Sequence, residues 1–552
     1  MNFRFTGQPF VDAGIAGMCA AADVASLSEL DTEAVGRAVQ RLLRIMTSPS
    51  AFKERLQGKK KSVFATSEMS VIFPNGPHAN PSGKPSEKAD RYARKVRTKW
   101  EAVLGESASD LEACFVDGGV GQFRVGNDEF PLVDSKGKRN FHPGHQEGHC
   151  VSAATALALE FFPLSVLRTG TDEGLFWFIH TADEEIAIAC AQRTIRRIES
   201  LIAQNAGLGF FGDWRVAART PAAAFVALIR DIMTSGNLLA QTRISSSPLP
   251  ITAYVFSNDN RSASISGQDL PHELFRYFNA LHSSDRGVDR FQREVLENEQ
   301  TCWRVATKML AREPIVRICC IRASKDQPPR LRGGWEAHSL YATEVLGMSG
   351  DFVRAIEQVS ERIFEHEDMK KAVLALRGDE PPVQILLSLV RRGMMTDEEY
   401  QLLVPPTDRS APFAARDYLL ACIYERTHAE ALQRPFLRWP GVLQPRQGEK
   451  HPLLEIVERA GEKILSADRG KRAANDLARV QRPTELRGVF LNFVRRGLVT
   501  WPEFVYLFPP EPGSYLPAYS ARDYLLAYLY SHLRDLQDME AVQELESEGE
   551  EA

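Results

Sequence analysis

The chain has 552 residues, of which 44% are hydrophobic and 25% charged, and a formal net charge of −5. That length calls for two to four domains, each able to bury a core, and the charge excludes a globally basic nucleic-acid binder. No apolar run is long enough to span a bilayer and no signal-peptide pattern opens the sequence, so the expectation is a cytoplasmic protein without membrane partners.

The opening stretch reads MNFRFTGQPFVDAGIAGM. Phe3 and Phe5 alternate with Arg4, as in a strand with one buried face. Gly7 and Pro9 break that run. Asp12 then reads as a helix cap ahead of the small residues Ala13, Gly14, Ala16 and Gly17. Asp31 caps a second helix that runs to about Thr47, with Ala34, Val35, Ala38, Val39, Leu42, Leu43 and Met46 as its apolar stripe. Lys59, Lys60 and Lys61 follow, then a short apolar strand from Ser70 to Phe73. Four prolines and two glycines between Pro74 and Pro85 make a surface loop that carries Asn75, Asn80 and Lys84.

A helix is predicted from about Glu87 to Leu104. Ala89, Tyr92, Val96, Trp100 and Val103 share one face, and Arg91, Arg94, Lys95 and Lys99 lie on another. From Lys53 to Lys99 there are twelve Lys or Arg against four acids. Such a line of charge is either a solvated helix face or a surface that meets phosphates.

Residues 111–180 read as mixed strands and turns, ending in a helix from about Val151 to Phe162. Gly118 to Gly121 reads as a turn. The eight cysteines are scattered with no CxxC pair, as in a reduced cytosolic chain. NFHPGHQEGHC holds His142, His145, His149 and Cys150, at spacings that match no standard zinc pattern. Cys114, His149 and Cys150 are weak metal candidates. A loop without metal is the preferred reading, and no cofactor is expected.

A long helix is predicted after Thr181, with Glu184 closing a capping box, running to about Asn205 and exposing Arg193, Arg196 and Arg197. The aromatics of Gly207 to Arg215 either stack on bases or plug a core. Thr220-Pro221 starts another helix. Ile251 to Arg261 is a buried strand with a polar end, Pro271 opens a helix, Ile315 to Arg322 is a short strand, and Gln327 to Arg330 a linker.

Beyond Trp335 the pattern is helical and repeats. LSLVRRGMMTDEEYQLLVPP (387–406) matches LNFVRRGLVTWPEFVYLFPP (491–510), and AARDYLLACIYER (414–426) matches SARDYLLAYLYSH (520–532). Gly393 and Gly497 fit helix C′ positions, and helices begin near Thr396 and Thr500. Two copies are too few for a solenoid, so duplicated helical hairpins in a bundle are expected. Residues 535–552 hold eight acids and no base and read as a frayed tail. The expected fold is therefore α+β: a mixed N-terminal α/β lobe over 1–335, an all-α helical bundle over 336–534 with the repeated unit at 387–426 and 491–532, and the acidic tail.

No nucleophile, phosphate-loop or metal-hydrolase motif is present, which favours a binding or scaffold role over an enzyme. The competing readings are a metal-dependent nuclease with dispersed acids and a helical protein-interaction scaffold without nucleic-acid binding.

FTGQPFVDAGIAGM resembles the opening of the large subunits of type I-B CRISPR interference complexes (Cascade). VIFPNGPHANP, NFHPG and AYVFSN resemble further segments of that family. The resemblance implies a non-catalytic subunit that assembles with guide RNA and backbone subunits, grips target double-stranded DNA, reads the protospacer-adjacent motif, supports strand opening, and leaves cleavage or transposition to recruited proteins, a helicase-nuclease or transposition factors. It gives Asn75 and Asn80 a base-reading role. Lys59, Lys60, Lys61, Lys84, Arg91, Arg94, Lys95, Lys99, Arg193, Arg196 and Arg197 become phosphate contacts. The family often carries two CxxC pairs; aligned on Cys114 and Cys150, the second members here are Asp117 and Ala153, a departure from its zinc ribbon. It also implies a separately made small subunit from an internal start, at Met348 or Met369.

Overall fold

The computed structural model describes residues 3–48, 72–74, 76–78, 84–105, 112–133, 147–168, 176–203, 220–234, 249–259, 262–283, 287–298, 301–323, 327–438, 451–467, 469–480, 482–509 and 516–550. It divides into two compact units. The first is Met1–Ser283 with Leu296–Arg312, and the second is Ser284–Val295 with Glu313–Ala552.

The first unit is built around α1 (Pro9–Ala22), in which every residue after Pro9 is buried. Residues 3–8 form no strand. Gln8 caps the helix by accepting the Val11 N–H at 2.9 Å. Asp12, one turn in and 3% exposed, takes the N–H groups of Thr6 (2.6 Å) and Gly7 (2.9 Å) that a strand would have given to a neighbour. Gly7 sits at φ +83°, where the reversal requires glycine. Gly14 and Gly17 admit the backbone of a neighbouring helix: a β-carbon there would meet the carbonyls of Ala158 and Phe161.

Around α1 lie α2 (Thr32–Met46), capped by Asp31 as predicted, α3 (Pro85–Leu104), α4 (Ala153–Phe161), capped by Ser152, and α5 (Glu184–Ala203). Asp183, not Thr181, caps α5, through the Ile186 N–H. Glu184 instead accepts the N–H of Leu27. The first sheet pairs β1 (Phe123–Val125) with β2 (His149–Val151). The second is antiparallel in the order β3 (Leu167–Arg168), β4 (Phe176–Thr181), β5 (Ile251–Asp259), β6 (Ser262–Asp269). Phe10 of α1 meets Phe162, Phe178 and Phe256 at 5.2–5.5 Å, joining helix layer to sheet. α6 (Pro221–Thr234), α7 (His272–Ser283) and α9 (Cys302–Leu310) complete this unit, while α8 (Gly287–Phe291) falls in the other. The Ser70–Phe73 strand is not found where it is described: Ile72 is helical and Pro74 lies in a turn. Asn258 of β5 donates to the Ile72 carbonyl at 3.0 Å, so VIF and AYVFSN meet.

The second unit starts earlier than residue 336. The predicted strand over Ile315–Arg322 is mostly α10 (Val316–Cys319), followed by β7 (Cys320–Ile321). β7 pairs with β8 (Arg330–Leu331), which occupies the expected linker, and both pack on a helix of the bundle. After α11 (Gly334–Glu344) the chain folds one five-helix unit twice. The first copy is α12 (Gly350–Glu365), α13 (Met369–Arg377), α14 (Pro382–Arg391), α15 (Asp397–Leu403) and α16 (Ala411–Ala431). The second is α17 (Pro452–Ser466), α18 (Gly470–Ala478), α19 (Pro483–Arg495), α20 (Trp501–Leu507) and α21 (Leu516–Glu550). The repeat is thus longer than its sequence signature. Gly393 and Gly497 end α14 and α19 at φ +72° and +70°. Glu399 and Glu503 accept the N–H of Thr396 and Thr500 at 2.9 and 2.7 Å, the reciprocal arm of a capping box. The acidic end is helical to Glu550 rather than frayed, because Leu, Gln, Met, Ala and Glu are good helix formers.

Candidate nucleic-acid interface

Helix α3 presents a split set of cations. Tyr92 and Val96 are buried, and Lys84, Arg91 and Arg94 are exposed, as is Arg97. Lys95 and Lys99 turn inward, which removes them from the predicted basic face. They stand four residues apart, on the same side as Tyr92 and Val96. Lys95 lies 3.0 Å from Glu129 and 2.9 Å from Glu160 of α4, and Lys99 lies 3.0 Å from Glu129 and also pairs with Glu160. Burial alone would raise the Glu160 carboxyl; the two ammonium groups outweigh it and hold it below the usual range. The quartet braces α3 against α4 and offers nothing to a phosphate. A lone Glu160 within the apolar run ATALALEFF was the sequence signal that a buried cation was needed. The exposed acids Glu87, Asp90 and Glu101 also interrupt the α3 face.

The loop before α3 is anchored at its described residues. His78 is buried, its Nε2 lies 3.0 Å from the Met46 carbonyl and its ring 4.6 Å from Tyr92. Burial pushes its pKa down to about 4. Asn75, Asn80, Lys59, Lys60 and Lys61 lie outside the described residues, as do the aromatics of 207–215. On α5, Arg196 is exposed, while Arg193 and Arg197 are half-buried, so the predicted exposed trio reduces to one.

Asp117 occupies the turn next to Cys114. Its carboxylate accepts from Ser152 (2.6 Å), Thr155 (2.8 Å) and the Gly119 N–H (2.8 Å), tying the turn to the first turn of α4. Burial opposes its charge, but these hydrogen bonds prevail and lower its pKa. The Cys150 thiol donates to the Glu112 carbonyl at 3.2 Å, and the His149 ring packs on Phe115 at 4.9 Å. Among the described residues no group of three or more His, Cys, Asp or Glu could hold a metal, and none of their helices is long and apolar enough to cross a membrane. His142 and His145 lie outside the described residues.

Among the described residues, a cationic segment outside the predicted sites lies across α18 and α19. From Arg469 to Arg496, across α18 and α19, there are eight Lys or Arg and two acids. All eight cations, Arg469, Lys471, Arg472, Arg479, Arg482, Arg487, Arg495 and Arg496, are exposed. Asp476 and Glu485 are the acids, and Glu485 is engaged in capping, accepting the Arg482 N–H at 3.2 Å. Counting charge by segment over the bundle, as was done over Lys53–Lys99, would have found it. A cleft of about 760 Å³ elsewhere in this unit is of another kind. Its Arg290 is held by Glu425 at 2.5 and 3.0 Å, and Asp289, Glu294 and Glu336 add further negative charge to the lining.

Compared with family models, with curated proteins and with solved structures, the chain returns no match.

Proposed function

We propose that this chain is a nucleic-acid-binding, non-catalytic subunit of the kind its opening segment resembles: a large subunit of a guide-RNA-containing CRISPR effector complex. In this reading it holds duplex DNA, reads the protospacer-adjacent motif and supports strand opening, while other proteins carry out the chemistry. The observation that carries the nucleic-acid reading is the exposed eight-to-two excess of cations over acids on α18–α19. Such a face binds phosphate by ion pairing and counterion release, without regard to sequence. Lys84, Arg91, Arg94 and Arg196 supply further exposed cations in the first unit. Base reading falls to Asn75 and Asn80, whose amides both donate and accept. The guide RNA, the backbone subunits and the recruited proteins are the partners this reading requires. A product started at Met348 would carry both five-helix copies intact, whereas one started at Met369 would lack α12.

The test is a binding titration over a range of salt, on duplexes with and without the motif, together with mass spectrometry of co-purifying RNA and protein. Asn75→Ala with Asn80→Ala should level affinity between the two duplexes at nearly constant non-specific binding. Arg91→Ala with Arg94→Ala should weaken both equally and reduce the salt slope by about 1.8, on the basis of about 0.9 per phosphate contact. A chain that binds neither duplex at low salt and brings no RNA with it ends this reading.

A further inference from the structure

The four-stranded sheet of the first unit ends on an exposed edge. Strand β6 stands last in the sheet order, paired with β5. Their register is unbroken over eight residue pairs. The Leu270 N–H donates to the Ile251 carbonyl at 2.8 Å. Antiparallel alternation from that bond turns the backbone of Ser264, Ser266 and Gln268 toward β5, and the backbone of Ala263, Ile265, Gly267 and Asp269 outward. The Gln268 side-chain amide donates to the Asp269 carbonyl at 3.0 Å. Among the described residues, none bonds to the outward N–H and C=O groups of Ala263, Ile265 and Gly267. Every residue from Ala263 to Asp269 is exposed.

Such an edge is a template for a further strand, and sheets that must stay apart blunt theirs with Lys, Pro, a bulge or a short strand. β6 uses none of these. Its sequence, SASISGQD, has no Lys and no Pro. Its one charged residue, Asp269, accepts from the Thr252 hydroxyl at 2.7 Å. A cross-strand row marks what the edge would take. Phe176 of β4 stands opposite Phe256 of β5, and Phe256 opposite Ile265 of β6, all on one face of the sheet. The two phenylalanines are fully buried and Ile265 is 44% exposed. The apolar row thus runs out of the core to the rim of the sheet.

We propose that β6 pairs antiparallel with β6 of a second copy of this chain, about a two-fold axis through Ile265. In that register Ile265 stands opposite its own counterpart, Ala263 opposite Gly267, and Ser264 opposite Ser266. Ile265 with Ile265, and Ala263 with Gly267, exchange both of their N–H···O bonds. Every outward group of those three residues is then satisfied. The row Phe176–Phe256–Ile265 continues across the seam into the same row of the other copy. On the opposite face the serine hydroxyls meet, and no like charges stand opposite each other between Ala263 and Gly267. Both β6 edges are consumed, so the assembly closes as a dimer. This is strand addition, and it stands whether or not the chain binds DNA.

Sedimentation velocity on the full chain, freed of nucleic acid, tests it. The wild type should dimerise at or below about 100 µM. Ile265→Lys and, separately, Ile265→Glu set like charges opposite each other at the axis. Each should weaken dimerisation about tenfold or more, with far-UV circular dichroism showing the fold intact. The two-fold places residue 265 opposite itself, so an equimolar mixture of the two variants brings opposite charges together. It should recover a mixed dimer, and that dimer should dissociate as salt rises. A wild type that stays monomeric at that concentration overturns the proposal. So does association that either variant leaves unchanged, or a mixture no more associated than its two components.

Discussion

The two five-helix copies keep the Arg-Arg-Gly turn and the Thr cap that follows it but fill their interiors differently. Ser360 of α12 aligns with Gly461 of α17, and Cys422 of α16 with Tyr528 of α21. In the first copy, Ser360 Oγ lies 2.9 Å from Cys422 Sγ. In the second, the Tyr528 ring fills the space so fully that a β-carbon at Gly461 would collide with it. Volume has moved from one helix to its neighbour and grown: Gly461 brings no side-chain atom and Tyr528 a full phenol ring, where Ser360 and Cys422 bring one small side chain each. The ion pairs behave alike. Arg362 pairs with Glu399 in the first copy and Arg459 with Glu503 in the second. Arg459 sits one helical turn before the residue aligned with Arg362, which is Lys463; that lysine donates to the Gly497 carbonyl as Arg362 does to Met394. What the fold requires is a cap, a turn and a filled volume, and several residue sets supply them. Surfaces are under no such demand, and there one segment has diverged: Arg469–Arg496 holds eight Lys or Arg against two acids, where Asp368–Arg392 of the first copy holds five against three.

The largest effect should come from breaking the exchanged volume. Gly461→Ser forces a side chain against Tyr528 and should destabilise the helical unit by about 3 kcal/mol. Adding Tyr528→Cys relieves that clash and should return part of the loss, the remainder being the space the ring no longer fills. Chemical denaturation of the four proteins of this cycle gives the coupling directly. Simple additivity would mean that the two positions do not share one space.

The surface difference gives the next effect. Lys471→Glu with Arg472→Glu on α18 should lower affinity for duplex DNA about tenfold at low salt. The aligned pair on α13, Lys370→Glu with Lys371→Glu, makes the same change in net charge where Lys371 already pairs with Asp368 at 2.7 Å, and should change affinity by less than about twofold. Equal losses from both pairs would assign binding to overall charge and not to the second copy's face.

The sequence carried the repeat only where side chains are fixed by a turn. Arg-Arg-Gly, the Thr caps and the Pro-Pro breaks recur because each meets a backbone requirement. α12–α13 and α17–α18 share little more than apolar spacing and Lys370-Lys371-Ala372 against Lys471-Arg472-Ala473, so the sequence match begins only at 387. The opening segment was read as strand and cap because alternation and an Asp are local signals. Asp12 acts across the fold instead, reaching His180 of β4 at 3.1 Å as well as the Thr6–Gly7 turn. Lys95 and Lys99 were misplaced for the same reason: their partners Glu129 and Glu160 are distant in the chain. The cationic α18–α19 segment is legible in the sequence by simple counting, since its charges are exposed and need no distant partner.

The smallest effect sharpens the comparison by pH. Asp397 opens α15, and the residue aligned with it is Trp501. Burial under α21 raises its pKa to about 6; Glu398 adds to the rise and His532 opposes it. The unfolded chain protonates this carboxyl near 3.8, so between those values the folded state holds more protons. Stability from this group therefore increases as pH falls from about 6 toward 4, and the charged form opposes folding at pH 7. Asp397→Asn should make the unit more stable at pH 7 and flatten the acid side of its stability profile, as followed by thermal melts from pH 7.5 to 4.5. The two buried histidines slope the other way. His78 and His338 have pKa values lowered to about 4 by burial, so each favours the folded state above about 6.5 and loses that contribution as pH falls toward 4. The difference between wild type and Asp397→Asn isolates the carboxyl from them. An identical difference at every pH would show that the Asp397 carboxyl does not titrate differently in the folded chain, and that α21 covers α15 without desolvating it.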